Sequence, residues 1–429
     1  MKFLETLKSR HLFEAVTNPE LENALAKPLT VYAGFDPTSD SLQAGNFVTI
    51  QMLARLQRAG HRVIALVGGA TGLIGDPSGK SVERTMQTVE QVEYNVQGIK
   101  ENLSRFLHFD DPVNPAILVN NYDWYKNVSA INFLRDICVN FRVPAMLAKE
   151  SVKKRLEATD GGMTFTEFSY QILQGYDYLH LFDNYGCTLE VGGADQWGNI
   201  TAGTDLVHRL RGTEVYGLTF PLVCDSTGKK FGKSEGNAIF LDSRKTPYYD
   251  FYQFFMRSMD ADVIRYLKIF TFKSDEEIAA LEESLRNAPE KREAQQALAE
   301  EMTRMVHGET GLRIAKQATS ALFGGSLDGL TADDLEKIFS TVKSAALPAD
   351  AVINRPAYDV IADAGMVASK GEARRLVQQG GLSINNNKVT DKARAFSADD
   401  FIGGRVAVLR SGKKNYFLLK LCPRIGTAN

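Results

Sequence analysis

At 429 residues the chain is too long for one typical core, and with 44% hydrophobic and 24% charged residues it has the composition of an ordinary folded protein, not a disordered or fibrous one. No apolar run reaches bilayer-spanning length, the best being Val63–Gly75, and Lys2 and Lys8 precede no apolar leader, so a cytoplasmic protein without membrane association is expected. Net charge is −2, yet residues 353–429 hold 13 Lys+Arg against 6 Asp+Glu and the first 352 hold 37 against 46; such a basic tail predicts a polyanionic partner.

Taken in chain order, Thr30–Phe35 reads as a strand, Phe47–Gln57 as a helix and Val63–Val67 as an all-apolar strand of the kind buried on both faces. Strand, helix and strand within about 40 residues make a βαβ unit and favour a parallel, Rossmann-type sheet. The pattern recurs with a strand at Thr188–Val191, a helix at Ile200–Leu210 and a strand at Gly217–Val223. From Pro247 the periodicity turns helical, over Phe251–Met259, Ala261–Phe270, Asp275–Leu285, Glu290–Val306 and Gly311–Phe323. A linker-like segment, Ala345–Asp350, precedes a small α+β module with helices at Pro356–Ala364 and Lys370–Gln379 and short strands ending in Lys414–Lys420. The expected domains are a Rossmann-type α/β domain over 1–230, a helical domain over 231–344, a linker over 345–352 and a small basic α+β module over 353–429. Cys138, Cys187, Cys224 and Cys422 form no CxxC and no His/Cys cluster, so no structural metal is expected.

Two glycine-rich stretches, Gly75–Ser81 and Gly228–Ser234, end in Gly-Lys-Ser. Each has three residues between its glycines, whereas a P-loop needs four for its N–H groups to wrap phosphate, which excludes that reading. Lys230-Phe-Gly-Lys233-Ser234, just past a strand, instead resembles the KMSKS loop of class I aminoacyl-tRNA synthetases, whose lysines neutralise charge as pyrophosphate departs. Its partner, the HIGH signature, belongs at the turn after the first strand, where helix N–H groups face ATP. That segment is Tyr32–Asn46, in which Gln43 and Asn46 stand where the signature has histidines.

Together with Gly34–Thr38, Ala65–Pro77, Phe165–Tyr170, Leu173–Asp177 and Val191–Ile200, these motifs make the sequence similar to bacterial-type tyrosyl-tRNA synthetases along essentially its whole length. The resemblance implies that Tyr32 and Asp177 bind the substrate phenol, that Tyr170, Gln174 and Asp76 hold its ammonium, and that Gln196 sits beside its carboxylate. It places Gly34, Asp36, Gly45, Gly193, Asp195 and Lys233 around ATP, with Gly193 and Asp195 at the ribose. Thr38, Gln43, Asn46, Lys80, Arg84, Lys230 and Lys233 are the implied catalytic group around the phosphates, with Mg²⁺ arriving on ATP. A glutamine amide can donate a hydrogen bond but cannot become cationic, so Gln43 is expected to slow activation relative to histidine.

In the tail, Lys370, Arg374, Arg375, Lys388, Lys413 and Lys414 are candidate phosphate contacts for tRNA(Tyr). A homodimer is implied, with its interface in the insert around 119–152, where Phe133 and Phe141 are candidate contacts. A tryptophan-specific synthetase is disfavoured by the Tyr32/Asp177 pair, and another nucleotidyltransferase by the helical and tail modules. A catalytically weakened RNA-binding paralogue, suggested by the missing histidines, is disfavoured by the retained lysines and tyrosine pocket.

Overall fold

A computed structural model of the chain describes residues 2–78, 87–158, 162–234, 237–322, 325–339, 342–391, 393–412 and 415–422. The chain divides into two compact units, Met1–Thr246 with Phe254–Val306, and Pro247–Gln253 with His307–Asn429. The helices expected over 231–344 are thus shared between the two units.

Six strands build the sheet of the first unit: β1 (Ala15–Val16), β2 (Thr30–Phe35), β3 (Arg62–Val67), β4 (Ile117–Asn120), β5 (Cys187–Gly193) and β6 (Tyr216–Phe220). Their order is β1-β6-β5-β2-β3-β4, all parallel except the edge strand β1. Val63 to Val67 are all buried, as an apolar strand covered by helices on both faces requires. β1 and β4 carry too few residues to stand out in the sequence. The chain runs outward from β2 in one direction and from β5 in the other, so the crevice beyond their carboxyl ends is a topological switch point, where open α/β sheets bind ligands.

Two helices aim residues at that crevice. Phe165–Tyr185 starts in a capping box: Thr164 Oγ1 accepts from the Glu167 N–H at 3.2 Å, and Glu167 Oε2 accepts from the Thr164 N–H at 3.3 Å. It stops at Gly186, whose φ of 64° suits glycine. The second helix, Trp197–Arg211, follows β5 after a single 3-10 turn at Ala194–Gln196.

In the second unit, Ser344–Pro348 is a strand running parallel to Asn415–Cys422, which corrects the linker reading of this segment. Its alternating half-buried residues and proline suit a sheet edge, a pattern that resembles a linker until its partner strand is known. Strand Val406–Ser411 shows the two-residue period clearly. Ala407 and Leu409 face a core with Phe396 and Phe401, while Val406 and Val408 face Ala318, Ala321, Leu335 and Phe339. Asn385 and Asn386, at φ 48° and 61°, form the two-residue turn between Leu382–Ile384 and Asn387–Lys388. The Asn386 amide donates to the carbonyls of Ala321 (2.7 Å) and Gly325 (2.8 Å), tying the hairpin to the end of helix Glu293–Leu322.

Candidate active site

A cleft of about 360 Å³ opens at the switch point. Tyr32, Gly34, Asp36, Thr38, Gln43, Gly45, Asn46, Asp76, Tyr170, Gln174, Asp177, Gly193, Asp195, Gln196 and Lys230 all line it, so residues spread over two hundred positions converge on one cavity. Lys80 and Arg84 lie outside the described residues, as do Lys413 and Lys414 of the tail. Lys233 belongs by its backbone to the two-residue strand Lys233–Ser234.

One wall is made where the turn after β2 meets the segment that follows the lysine loop. Gln43 bridges Phe240, the Ala44 N–H donates to Ile239 O at 2.7 Å, and the Leu241 N–H donates to Leu42 O at 2.8 Å. Asn102 Oδ1 braces the turn from behind, accepting from Ser41 Oγ (3.0 Å) and the Leu42 N–H (2.8 Å). Gly232, at φ 94°, lies so near the turn that a Cβ there would come within 2.8 Å of the Gly45 nitrogen, so only glycine fits. Phe231 buries its ring among Phe254, Phe255, Tyr266 and Phe270, fixing the loop beside the exposed Lys230. Asn46 Oδ1 accepts from the Gln43 N–H at 3.0 Å, so its oxygen shapes the turn.

The floor is a set of buried polar groups. Asp177 accepts from Trp124 Nε1 at 2.9 Å and from Asn121 Nδ2 at 3.0 Å. Desolvation pushes its carboxyl up to about 8 despite these two hydrogen bonds, which act in the opposite direction. Glu190, in the middle of β5, accepts from Gln174 Nε2 at 2.8 Å, and burial pushes it up to about 7. The Tyr32 hydroxyl and Glu190 Oε2 are both buried without a hydrogen bond of normal geometry, although each feels the other electrostatically. Tyr170 donates to Asp36 at 2.7 Å and Thr71 donates to the other Asp36 oxygen at 2.8 Å.

Opposite, Asp76 accepts from Gln196 Nε2 at 2.6 Å and from the Ser78 N–H at 2.9 Å. Asn199 reaches Gln196 Oε1 at 3.2 Å and Ser78 Oγ at 3.4 Å. These contacts regroup the residues. Asp36, assigned to ATP by resemblance, has its carboxylate bound to Tyr170 and Thr71; Asp76 is tied to Gln196 and Gln174 to Glu190.

The sequence reading missed Thr71, Asn121, Trp124, Glu190 and Asn199. Glu190 offered a clue as the one charged residue of its strand. Asn121 and Trp124 offered none, since they sit in the stretch assigned to the insert and meet Asp177 only after folding. Within that insert Phe133 packs on Tyr125 and Tyr176, and Phe141 lies against Gly175, so both rings face their own chain. Ile131, Leu134, Val139, Val143 and Leu147 are exposed instead. Among the described residues no cluster of three or more His, Cys, Asp or Glu is placed to hold a metal ion, and no helix is long and apolar enough to cross a membrane.

Residues 24–324 match the tRNA synthetases class I (W and Y), and residues 334–419 match the tyrosine–tRNA ligase SYY-like C-terminal domain. The chain belongs to this class I tRNA synthetase family. It is 48% identical to the tyrosine–tRNA ligase of Protochlamydia amoebophila (strain UWE25), covering 97% of this chain and 98% of that one. It is 49% identical to the tyrosine–tRNA ligase of Bacillus caldotenax, covering 98% and 100%. Among solved structures, a C-terminally truncated mitochondrial tyrosyl-tRNA synthetase of Aspergillus nidulans superposes with a TM-score of 0.68 at 31% identity, covering 75% of this chain and 94% of that one.

The raised Asp177 carboxyl has a consequence for stability. A group whose folded pKa (about 8) exceeds its unfolded value (3.8) binds more protons when folded, so its contribution fades as pH rises through that interval. Asp177→Asn removes this dependence. Thermal melts at pH 5.5 and 8.5 are expected to show the variant gaining on the parent at the higher pH, by at most about 1.4 kcal/mol per pH unit. A gap that stays constant between the two pH values would mean that Asn121 and Trp124 hold Asp177 ionised throughout.

Proposed function

We propose that this chain is a cytoplasmic tyrosine–tRNA ligase: it activates L-tyrosine with ATP to tyrosyl-adenylate and pyrophosphate, then transfers tyrosine to the terminal ribose of tRNA(Tyr). The observation that carries the reading is a single cleft with Tyr32 and Asp177 buried at its floor and the Lys230 loop at its rim. A phenol entering there would hydrogen-bond both groups, whereas phenylalanine would leave them buried and unpaired. Its ammonium would meet the acidic cluster of Asp36 and Asp76, arranged by Tyr170, Thr71 and Gln196. The carboxylate would attack the α-phosphate in line as the bond to pyrophosphate breaks, with orientation and charge stabilisation as the protein's contribution. Thr38, Gln43, Lys80, Arg84, Lys230 and Lys233 would surround the phosphates; Gly193 and Asp195 would take the ribose. Mg²⁺ would come with ATP, held mostly by the phosphates.

The basic surface of the second unit suits an RNA backbone. Lys370 and Arg374 lie one turn apart, Lys370 beside Asp359 (3.5 Å) and Arg374 over the Tyr358 ring, with Arg375 exposed next to them. Lys388 packs its stem at Gly380, just past the end of the same helix. The exposed apolar residues of the insert, from Ile131 to Leu147, suit a second copy of the chain, and we assign the homodimer contact to them.

Pyrophosphate exchange supported by tyrosine, and not by phenylalanine or tryptophan, is the expected result of the decisive assay; no exchange with any of the three would sink the reading. Gln43→His is expected to speed exchange roughly 10- to 100-fold, equivalent to about 1–3 kcal/mol of barrier. Equal rates would show that the glutamine costs nothing. Replacing Lys370, Arg374 and Arg375 together by alanine is expected to raise the KM for tRNA and to flatten its salt dependence while leaving pyrophosphate exchange intact. Unchanged aminoacylation across salt concentrations would place the RNA elsewhere.

A further inference from the structure

Glu190 is a costly residue to bury where it lies. It lies in a central strand between Leu189 and Val191, both buried, and enclosing a carboxyl group there is costly where an apolar side chain would be favourable. Its one hydrogen bond of normal geometry is to Gln174 Nε2 at 2.8 Å. Its second oxygen, Oε2, is buried without such a bond, as is the neighbouring Tyr32 hydroxyl. A costly group placed on the floor of a binding cleft, with a single well-formed contact to another lining residue, points to a role exerted through that contact.

We propose that Glu190 is a positioning residue for the amino-acid substrate, acting by fixing which end of the Gln174 amide faces the cleft. The proposal rests on the tyrosine-ligase reading. A primary amide is a donor at one end and an acceptor at the other, and nothing intrinsic decides between its two orientations. Glu190 Oε1 decides it. A carboxylate oxygen only accepts, so Gln174 must turn Nε2 toward it and Oε1 away. Gln174 Oε1 is not among the buried atoms lacking a partner, and Gln174 lines the cleft, so the carbonyl oxygen is presented to the cavity. An acceptor at that point suits an ammonium group, which offers three donors and no lone pair. The arrangement survives a proton on Oε2, since Oε1 still faces Gln174 as an acceptor. A glutamine at position 190 would lack this property. It could donate as well as accept, and would let Gln174 turn its own N–H groups on the ammonium.

The test compares three ligands on the full-length parent and on Glu190→Gln by calorimetry. Tyrosine has a phenol, an ammonium and a carboxylate; tyramine lacks the carboxylate; 3-(4-hydroxyphenyl)propionate lacks the ammonium. Glu190→Gln is expected to weaken tyrosine and tyramine roughly tenfold and to leave the propionate within about twofold. A distorted pocket would weaken all three alike, and that result, or no change in any, overturns the proposal. Introducing Glu190→Gln into a Gln174→Met background is expected to have no further effect on tyrosine, because the group through which it acts is gone. A full additional loss in that background also overturns it. Should Glu190→Gln fail to fold, Glu190→Met, which fills similar volume with no acceptor, is expected to give the same ligand pattern. A parent that binds none of the three ligands overturns the ligase reading along with this proposal. A parent that binds tyrosine while its variant matches it overturns this proposal alone.

Discussion

The backbone pairing of Leu42–Ala44 with Ile239–Leu241 is the constraint on which the cleft depends. Two segments almost two hundred residues apart, one from the end of β2 and one following the lysine loop, exchange N–H and C=O groups as strands would. Each bond adds little alone, since water competes for the same groups. What they supply is register: Gln43, Asn46 and Lys230 line one cavity because Asn102 braces the turn and the Phe231 ring seats the loop among four other aromatic rings. The glycine at 232 follows from the same pairing, since the backbones approach too closely there for a side chain.

At the cleft floor the governing quantity is the cost of burying charge. Asp177 and Glu190 are both removed from water, and burial pushes both carboxyls well above the ordinary carboxylate range. Such groups are kept in place by hydrogen bonds from uncharged donors: Asn121 and Trp124 on Asp177, Gln174 on Glu190. No cation neutralises them in these contacts. The pocket therefore holds buried polar groups of fixed direction, and a ligand that enters must bring matching hydrogen-bond partners. Selectivity then comes from what a wrong ligand leaves unpaired.

In the second unit the basic residues stand on a well-determined frame. Strand Val406–Ser411 buries both faces, one against each hydrophobic cluster, and Asn386 and Tyr416 bond the carbonyls at the end of helix Glu293–Leu322. Lys370 and Arg374 are partly engaged within the unit, by Asp359 and the Tyr358 ring, which limits their freedom. Immobilised cations lose less entropy on meeting phosphate.

Much of this was legible in the linear sequence, because it depends on local rules. β2, β3, β5 and β6 are apolar runs that a parallel sheet buries on both faces, and the glycine- and lysine-rich turns carry the residue types that phosphate chemistry uses. The family resemblance that the motifs carry was what brought Tyr32, Asp177, Gln43 and Lys230 forward as candidates for one site. Tertiary structure alone decided the partners. Asn121 and Trp124 reach Asp177 across more than fifty residues, Asp36 turns to Tyr170 and Thr71, and Ser344–Pro348 is a strand only because Asn415–Cys422 lies beside it. The physical reason is common to all three cases. Propensity and periodicity are properties of neighbours along the chain, whereas burial, and the hydrogen bonds that burial makes obligatory, are properties of neighbours in space.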